Sequence, residues 1–182
     1  MPVYTLGERQ PDIHPDAYVS PDAVVIGDVV IGAEASVWPR AVLRADYGRI
    51  EIGPRTSIQD GTVLHTTAEW PTVIGAECVV GHLAHLEGCT VEDRCLIGSG
   101  SVVLNRVRVG ARSVVGAQAL VSEDTQIPPG SLALGVPARL RPVDPAVQAS
   151  WIDFAVAEYV GNARTYRDQL RLIEPGQPEG AR

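Results

Sequence analysis

Residues 91–121 read VEDRCLIGSGSVVLNRVRVGARSVVGAQALV, and an aliphatic side chain returns at every sixth position: Val91, Ile97, Val103, Val109, Val115 and Val121. Upstream, the same interval links Ile31, Val37 and Leu43, then Ile52, Ile58 and Leu64, then Ile74, Val80 and Leu86. A small or modest residue follows four positions later in most cases: Ala35, Ala41, Thr56, Thr62, Cys78, Ala84, Thr90, Cys95, Ser101, Ser113 and Ala119. Six is neither the 3.6-residue period of a helix nor the alternation of an ordinary strand. It fits a parallel β-helix, in which each aliphatic residue points inward from a flat face and the small residue fills a tight corner. Three hexapeptides close one triangular coil, and coils stack at about 4.8 Å, the spacing of paired strands. The expected fold class is therefore all-β, a single-stranded parallel β-helix over residues 20–136 with a C-terminal α-helix.

The flanks are divided by composition. Residues 1–19 are expected to form an N-terminal cap segment. Residues 137–172 supply a connecting segment, rich in Pro and Gly at its start, and the helix. Asp144-Pro145 reads as the helix N-cap and first turn, and Trp151, Phe154, Ala155, Tyr159, Ala163, Tyr166 and Leu170 as its apolar stripe. Residues 173–182 are expected to be a disordered tail.

Composition limits the function classes. The chain has 182 residues and a formal net charge of −7; its 15 basic residues are all Arg. An acidic chain with no basic run is a poor match for nucleic acid or an anionic membrane surface. No apolar run reaches the ~18–20 residues of a membrane span. The N-terminal segment lacks the basic and apolar regions of a signal peptide. Cys78, Cys89 and Cys95 lack metal-type spacing and read as reduced, buried thiols, so a cytoplasmic location is expected. There is no phosphate-binding glycine motif and no GxSxG nucleophile signature. His14, in IHPDA, reads as a surface residue.

The period breaks in three places. Leu43 to Ile52 spans nine residues, Leu64 to Ile74 ten, and Leu86 to Val91 five. The ten-residue interval makes Thr66–Pro71 a loop, and loops inserted on a rigid scaffold are where function concentrates. Stacking the coils in threes puts Arg44, His65 and Glu87 in one outward column, one strand spacing apart. Asp60 and His82 fall in an outward column on a different face. His65 and Glu87 can therefore meet within one chain, whereas His82 reaches them from a second chain. Arg44 and Asp60 can meet across the same contact. This predicts a site assembled by a cyclic trimer, with ion pairs holding the interface.

SVWPRAVLRADYGRIEIGPRTSIQDGTVLH, VGHLAHLEGC and SLALGVPAR together resemble the γ-class carbonic anhydrases of the hexapeptide-repeat superfamily. The resemblance covers nearly the whole chain. It implies a left-handed sense for the β-helix, a homotrimer, and a zinc or iron site at each subunit interface held by three His. It also implies CO2 hydration to bicarbonate. The first two ligands match His65 and His82, Gln59 would orient hydroxide at the metal, and Arg44, Asp46 and Asp60 would orient the site or tie subunits together. Glu69, on the loop, and Tyr159, on the helix, match positions near the catalytic centre.

The third ligand position carries Glu87, in LEGC, and a histidine stands two residues earlier at His85. Three readings stay open: Glu87 completes the site, His85 swings in, or the metal binds weakly or not at all. A carboxylate ligand cuts the net charge of a zinc site from +2 to +1 and makes bound water less acidic. Lower turnover and a more alkaline optimum than in three-histidine relatives are expected. Two other classes compete: a hexapeptide-repeat acyltransferase using acyl-CoA, and a non-catalytic trimeric metal- or siderophore-binding protein.

Overall fold

The inward aliphatic residues stack rung on rung along three faces. A computed structural model describes residues 2–173; the expected tail lies outside them, apart from Ile173. On the first face Leu43, Leu64, Leu86, Val103 and Val121 are successive parallel partners. On the second, Ile31, Ile52, Ile74, Val91, Val109 and Ile127 follow one another. On the third the series is Val19, Val37, Ile58, Val80, Ile97, Val115 and Ala133, which makes seven coils. All of these but Val19 are buried, and they form one continuous core. The architecture is the left-handed parallel β-helix with one C-terminal helix.

The ladder begins earlier than residue 20. Val3–Tyr4, Asp12–Ile13 and Tyr18–Val19 pair in parallel with the next coil, so residues 3–19 are the first coil. Ten residues separate Val3 from Ile13, which conceals the period there.

From Ile31 onward each six-residue corner follows one rule. Three positions after an inward residue the backbone turns left-handed, at φ between 52° and 63° for ten non-glycine residues from Glu34 to Asp124. This conformation costs an L-residue about 1–2 kcal/mol, and here it recurs at every six-residue corner from Ile31 onward that lacks a glycine. The small residue comes next, two positions before the following inward residue. The five-residue interval therefore puts Cys89, and not Thr90, in the corner: Cys89 is buried and Thr90 is only partly covered.

All three thiols are free and buried. Cys78 and Cys95 occupy the same corner on successive coils, and burial pushes the Cys89 thiol up to about 12. Thiolate, the reactive form, is thus suppressed at Cys89. At pH 8 the folded protein is expected to resist iodoacetamide, and the unfolded chain to take three labels; mass spectrometry counts them. A label on Cys89 in the folded protein would contradict this.

The helix Pro145–Gln169 is capped by Asp144, whose Oδ1 accepts from the Ala146 N–H at 2.8 Å. Its buried face is Gln148, Ile152, Val156, Val160 and Ala163. Ile152, Val156 and Val160 lie on the outer side of the third face, against Val79, Leu96, Val114 and Leu132. The expected stripe holds at Ala155, Tyr159 and Ala163, which pack on the coils, and fails at Trp151 and Phe154, which are 44% and 70% exposed. The aliphatic third face takes branched aliphatic partners. Tyr159 and Tyr166 turn to a separate aromatic cluster with Trp38 and Tyr18.

At the corner between the second and third faces the left-handed positions alternate in charge: Glu34, Arg55, Glu77, Arg94. Arg55 reaches Glu34 at 3.4 Å and Glu77 at 3.1 Å, and Arg94 reaches Glu77 at 2.7 Å. The helix ties to both ends, Arg164 to Glu34 and Asp153 to Arg94. The Arg164 guanidinium, helped by Arg55, holds the Glu34 carboxyl below its ordinary range. A depressed carboxylate stabilises the fold above its unfolded pKa and stops doing so as pH falls through the lower folded value. Acidification below about pH 4.3 is therefore expected to loosen the end of the helix near Arg164, reported by fluorescence of the Trp38 cluster. Glu34→Gln should flatten that part of the profile; an unchanged profile would remove Glu34 as the cause.

Candidate metal centre

The three breaks in the period fall at one corner, between the first and second faces, on successive coils. Val42–Ile52 runs through it as one eleven-residue strand. On the next coil residues 66–71 leave the ladder between Val63–His65 and Thr72–Ile74. On the coil after that the corner is cut to Gly88 and Cys89, between His85–Glu87 and Thr90–Val91. Outward side chains of the first face gather beside this corner.

Arg44, His65 and Glu87 are successive register partners. His65 Nδ1 lies 2.8 Å from Glu87 Oε1, and its Nε2 lies 3.0 Å from Asp46 Oδ1. Arg44 pairs with the other oxygen of Asp46. Burial works against the Asp46 charge, but the hydrogen bonds from His65 and Arg44 win and hold its carboxyl below the usual value. The second Glu87 oxygen faces His85 Nε2 at 3.6 Å, beyond hydrogen-bond reach. The Tyr47 ring stands edge-on to His65, with centroids 6.3 Å apart. Glu69 is exposed on the loop, whose next residue, Trp70, is covered by the Arg106 guanidinium at 4.3 Å.

The other candidates sit on the third face. His82 Nδ1 lies 2.9 Å from Asp60 Oδ2. A carboxylate on Nδ1 sets the tautomer that leaves the Nε2 lone pair outward, the arrangement of a metal-binding imidazole. Leu83, beside it, is 72% exposed. Gly61 lies beneath that side chain, where a Cβ would come within 2.7 Å of Leu83 Cδ2. Gln59 is buried at 3% exposure. Tyr159 packs on Trp38 at 5.8 Å. Burial raises the Tyr159 hydroxyl, the charge of Asp60 adds to this, and a hydrogen bond with Gln59 opposes it.

One chain thus carries two clusters of polar side chains on different faces: Arg44, Asp46, His65, His85 and Glu87 on the first, and Gln59, Asp60, His82 and Tyr159 about the third. Among the described residues of a single chain, no three His, Cys, Asp or Glu side chains are grouped to hold a metal. Arg44 and Asp60 do not meet within the chain; each has a partner on its own face. Sequence reasoning named Asp46 but missed its contact with His65. It also missed Trp38, whose indole N–H reaches the Ser36 and Ser57 hydroxyls, and the buried Thr66 and Thr72, which flank the loop. The breaks in spacing were the available signal for the threonines.

The family description "Bacterial transferase hexapeptide (six repeats)" matches residues 71–105 and 88–123. The carnitine operon protein CaiE of Salmonella agona is 34% identical over 175 residues, covering 96% of this chain and 88% of that protein. Mitochondrial γ carbonic anhydrase 1 of Arabidopsis thaliana is 41% identical over 138 residues, 72% of this chain. The chain belongs to the γ-carbonic-anhydrase-like hexapeptide-repeat family. It spans 50% of the length of that Arabidopsis relative and 60% of γ carbonic anhydrase 2, at 35% identity. Among solved structures, a putative acetyltransferase of Bacillus cereus superimposes with a TM-score of 0.90 at 31% identity, covering 92% of this chain and 98% of that one. A hexapeptide transferase family protein of Anaplasma phagocytophilum gives 0.87 at 32% identity, covering 91% and 98%. Membership of this family fixes the coil architecture. Its members bear both anhydrase and acetyltransferase names. No described helix is long and apolar enough to cross a membrane.

Proposed function

We propose that this chain is a metal-dependent carbonic anhydrase of the γ type, hydrating CO2 to bicarbonate at sites shared between neighbouring chains of a homotrimer. The observation that carries the reading is the pairing of half-sites: His65 beside Glu87 on one face, and His82 on another, with its Nδ1 occupied by Asp60. Two imidazoles and a carboxylate are a donor set of catalytic zinc sites, so the residues fit the metal. His65 and Glu87 of one chain and His82 of the next would hold zinc or iron, with His85 the alternative to Glu87. The bound ion would act as a Lewis acid and lower the pKa of water.

The chain's own side chains do the rest. Asp60 fixes the tautomer of His82, and Arg44 braces Asp46 against His65. Gln59, buried beside Tyr159 near Asp60, offers an amide to hold the attacking oxygen. Glu69 takes the released proton to solvent from the loop. The buried free thiols fit a reducing compartment such as the cytoplasm.

The test is elemental analysis of untagged protein purified without chelators, with its mass in solution. About three metal ions per trimer, one per interface, are expected. A monomer, or protein that stays metal-free after incubation with zinc, would overturn the reading. The B. cereus likeness favours a second reading, acyl transfer from acyl-CoA with a His as general base. Calorimetric titration with CoA separates the two: saturable binding, with no hydration of CO2, would replace the first by the second. Bound metal with neither activity would leave a metal- or siderophore-binding scaffold.

A further inference from the structure

The loop between His65 and Thr72 is flanked by two fully buried threonines. The Thr72 hydroxyl donates to the His65 carbonyl at 2.5 Å and accepts from the Gly88 N–H at 2.8 Å. It therefore joins the backbone of one candidate ligand to the residue that follows the other, Glu87. The Thr66 hydroxyl, next to His65, accepts from the Gly48 N–H at 3.0 Å; Gly48 lies two residues after Asp46. Both positions favour glycine: a Cβ on Gly48 would come within 2.6 Å of the Thr67 carbonyl, and Gly88 is left-handed at φ 56°. The two hydroxyls thus stitch together the three coils that carry Asp46, His65 and Glu87, at the corner where the regular ladder is interrupted.

We infer that Thr72 is a positioning residue for the metal centre, with Thr66 as its second: the hydroxyls set the separation of the Asp46, His65 and Glu87 rungs. The inference rests on the metal-centre reading for its purpose, while its geometry is a property of the single chain. Lost outer supports of this kind weaken metal affinity by roughly 10–100-fold. A built-in control exists. Thr56, at a regular corner, makes the same pair of bonds, to the Gly75 carbonyl at 2.7 Å and from the Cys78 N–H at 3.0 Å.

The experiment compares Thr72→Val, Thr72→Ser, Thr66→Val and Thr56→Val in the full-length assembly. Zinc affinity is measured by chelator competition. The ring 15N signals of His65 are recorded in metal-free protein, with melting temperature alongside. Thr72→Val is expected to weaken zinc binding about tenfold or more and to move the His65 signals. Thr72→Ser restores both, and Thr66→Val shifts the His65 signals less. Thr56→Val lowers the melting temperature comparably and leaves zinc and His65 unchanged. Unchanged His65 signals in Thr72→Val, or an equal disturbance from Thr56→Val, would overturn the inference. If Thr72→Val does not fold, Thr66→Val carries the test against Thr56→Val by the same two readouts. Wild-type protein that takes up no zinc would sink the metal-centre reading, and the His65 signals would still decide whether Thr72 positions that ring.

Discussion

If the proposed function holds, Glu87→His is expected to raise CO2 hydration at pH 7 by about tenfold or more and to move the optimum to lower pH. The reason is charge. With Glu87 the donor set carries one negative charge, and with His it carries none. Water on zinc titrates near ~7 with three imidazoles and near ~9 on the aqueous ion, and a carboxylate donor moves the site part of the way back. Position 87 stands in register with His65, with a donor atom already 2.8 Å from its Nδ1, so a histidine there needs no rearrangement of the coil. Stopped-flow hydration from pH 6 to 10, with metal content measured on the same samples, checks the result. The variant and the parent converge at high pH if charge is the cause. Equal turnover at pH 7 with equal metal would sink the account.

Neither His65→Ala nor His82→Ala is expected to retain stoichiometric zinc, yet the two variants are expected to restore sites to each other when mixed. His65 and His82 lie on different faces of one chain, so the proposed site needs His65 from one neighbour and His82 from the next. In a cyclic trimer each homogeneous variant has no intact interface, and every mixed trimer has one in three. Random reassembly of equal amounts therefore returns about a quarter of the wild-type zinc. His82→Ala should keep the parent melting profile without metal, since it removes a side chain that is 47% exposed, whereas His65→Ala also takes the imidazole partner from Asp46 and Glu87 and should melt slightly lower. Zinc measured after denaturing and refolding the mixture decides the matter. No recovery, with trimers reformed, would place the site within one chain.

Much of this fold was legible because residues 91–121 fill every inward slot with an aliphatic side chain at constant spacing. The first coil was not, because Val3 and Ile13 are ten residues apart and the coil's turns are irregular. The helix was legible in its cap, Asp144-Pro145, and in Ala155, Tyr159 and Ala163, and misread at Trp151 and Phe154. Hydrophobicity alone favours Trp151 and Phe154, while the shape of the third face selects Ile152, Val156 and Val160. In the candidate centre, counting rungs put His65 beside Glu87 and His82 elsewhere. Counting fails inside a nine-residue turn, so Asp46 was named without its bond to His65. Thr66 and Thr72 carry no periodic signal, because what matters in them is a hydroxyl at a place where the period has stopped.

The helix and the coils are also matched in pitch. Asp153 and Arg164 are eleven residues apart and grip Arg94 and Glu34, which are three coils apart. Eleven residues of α-helix rise about 16 Å, and three coils climb about 14 Å. A bare stack of coils is a one-dimensional array whose ends can fray one rung at a time. A rod of matching length, fastened near both ends and laid along the third face, closes that array into a circuit. Loss of any middle coil then strains the rod, and because the helix also packs on Val114 and Leu132 and bonds the Arg112 and Ser131 carbonyls through Gln148, the coils along the third face and the helix are expected to melt as one unit.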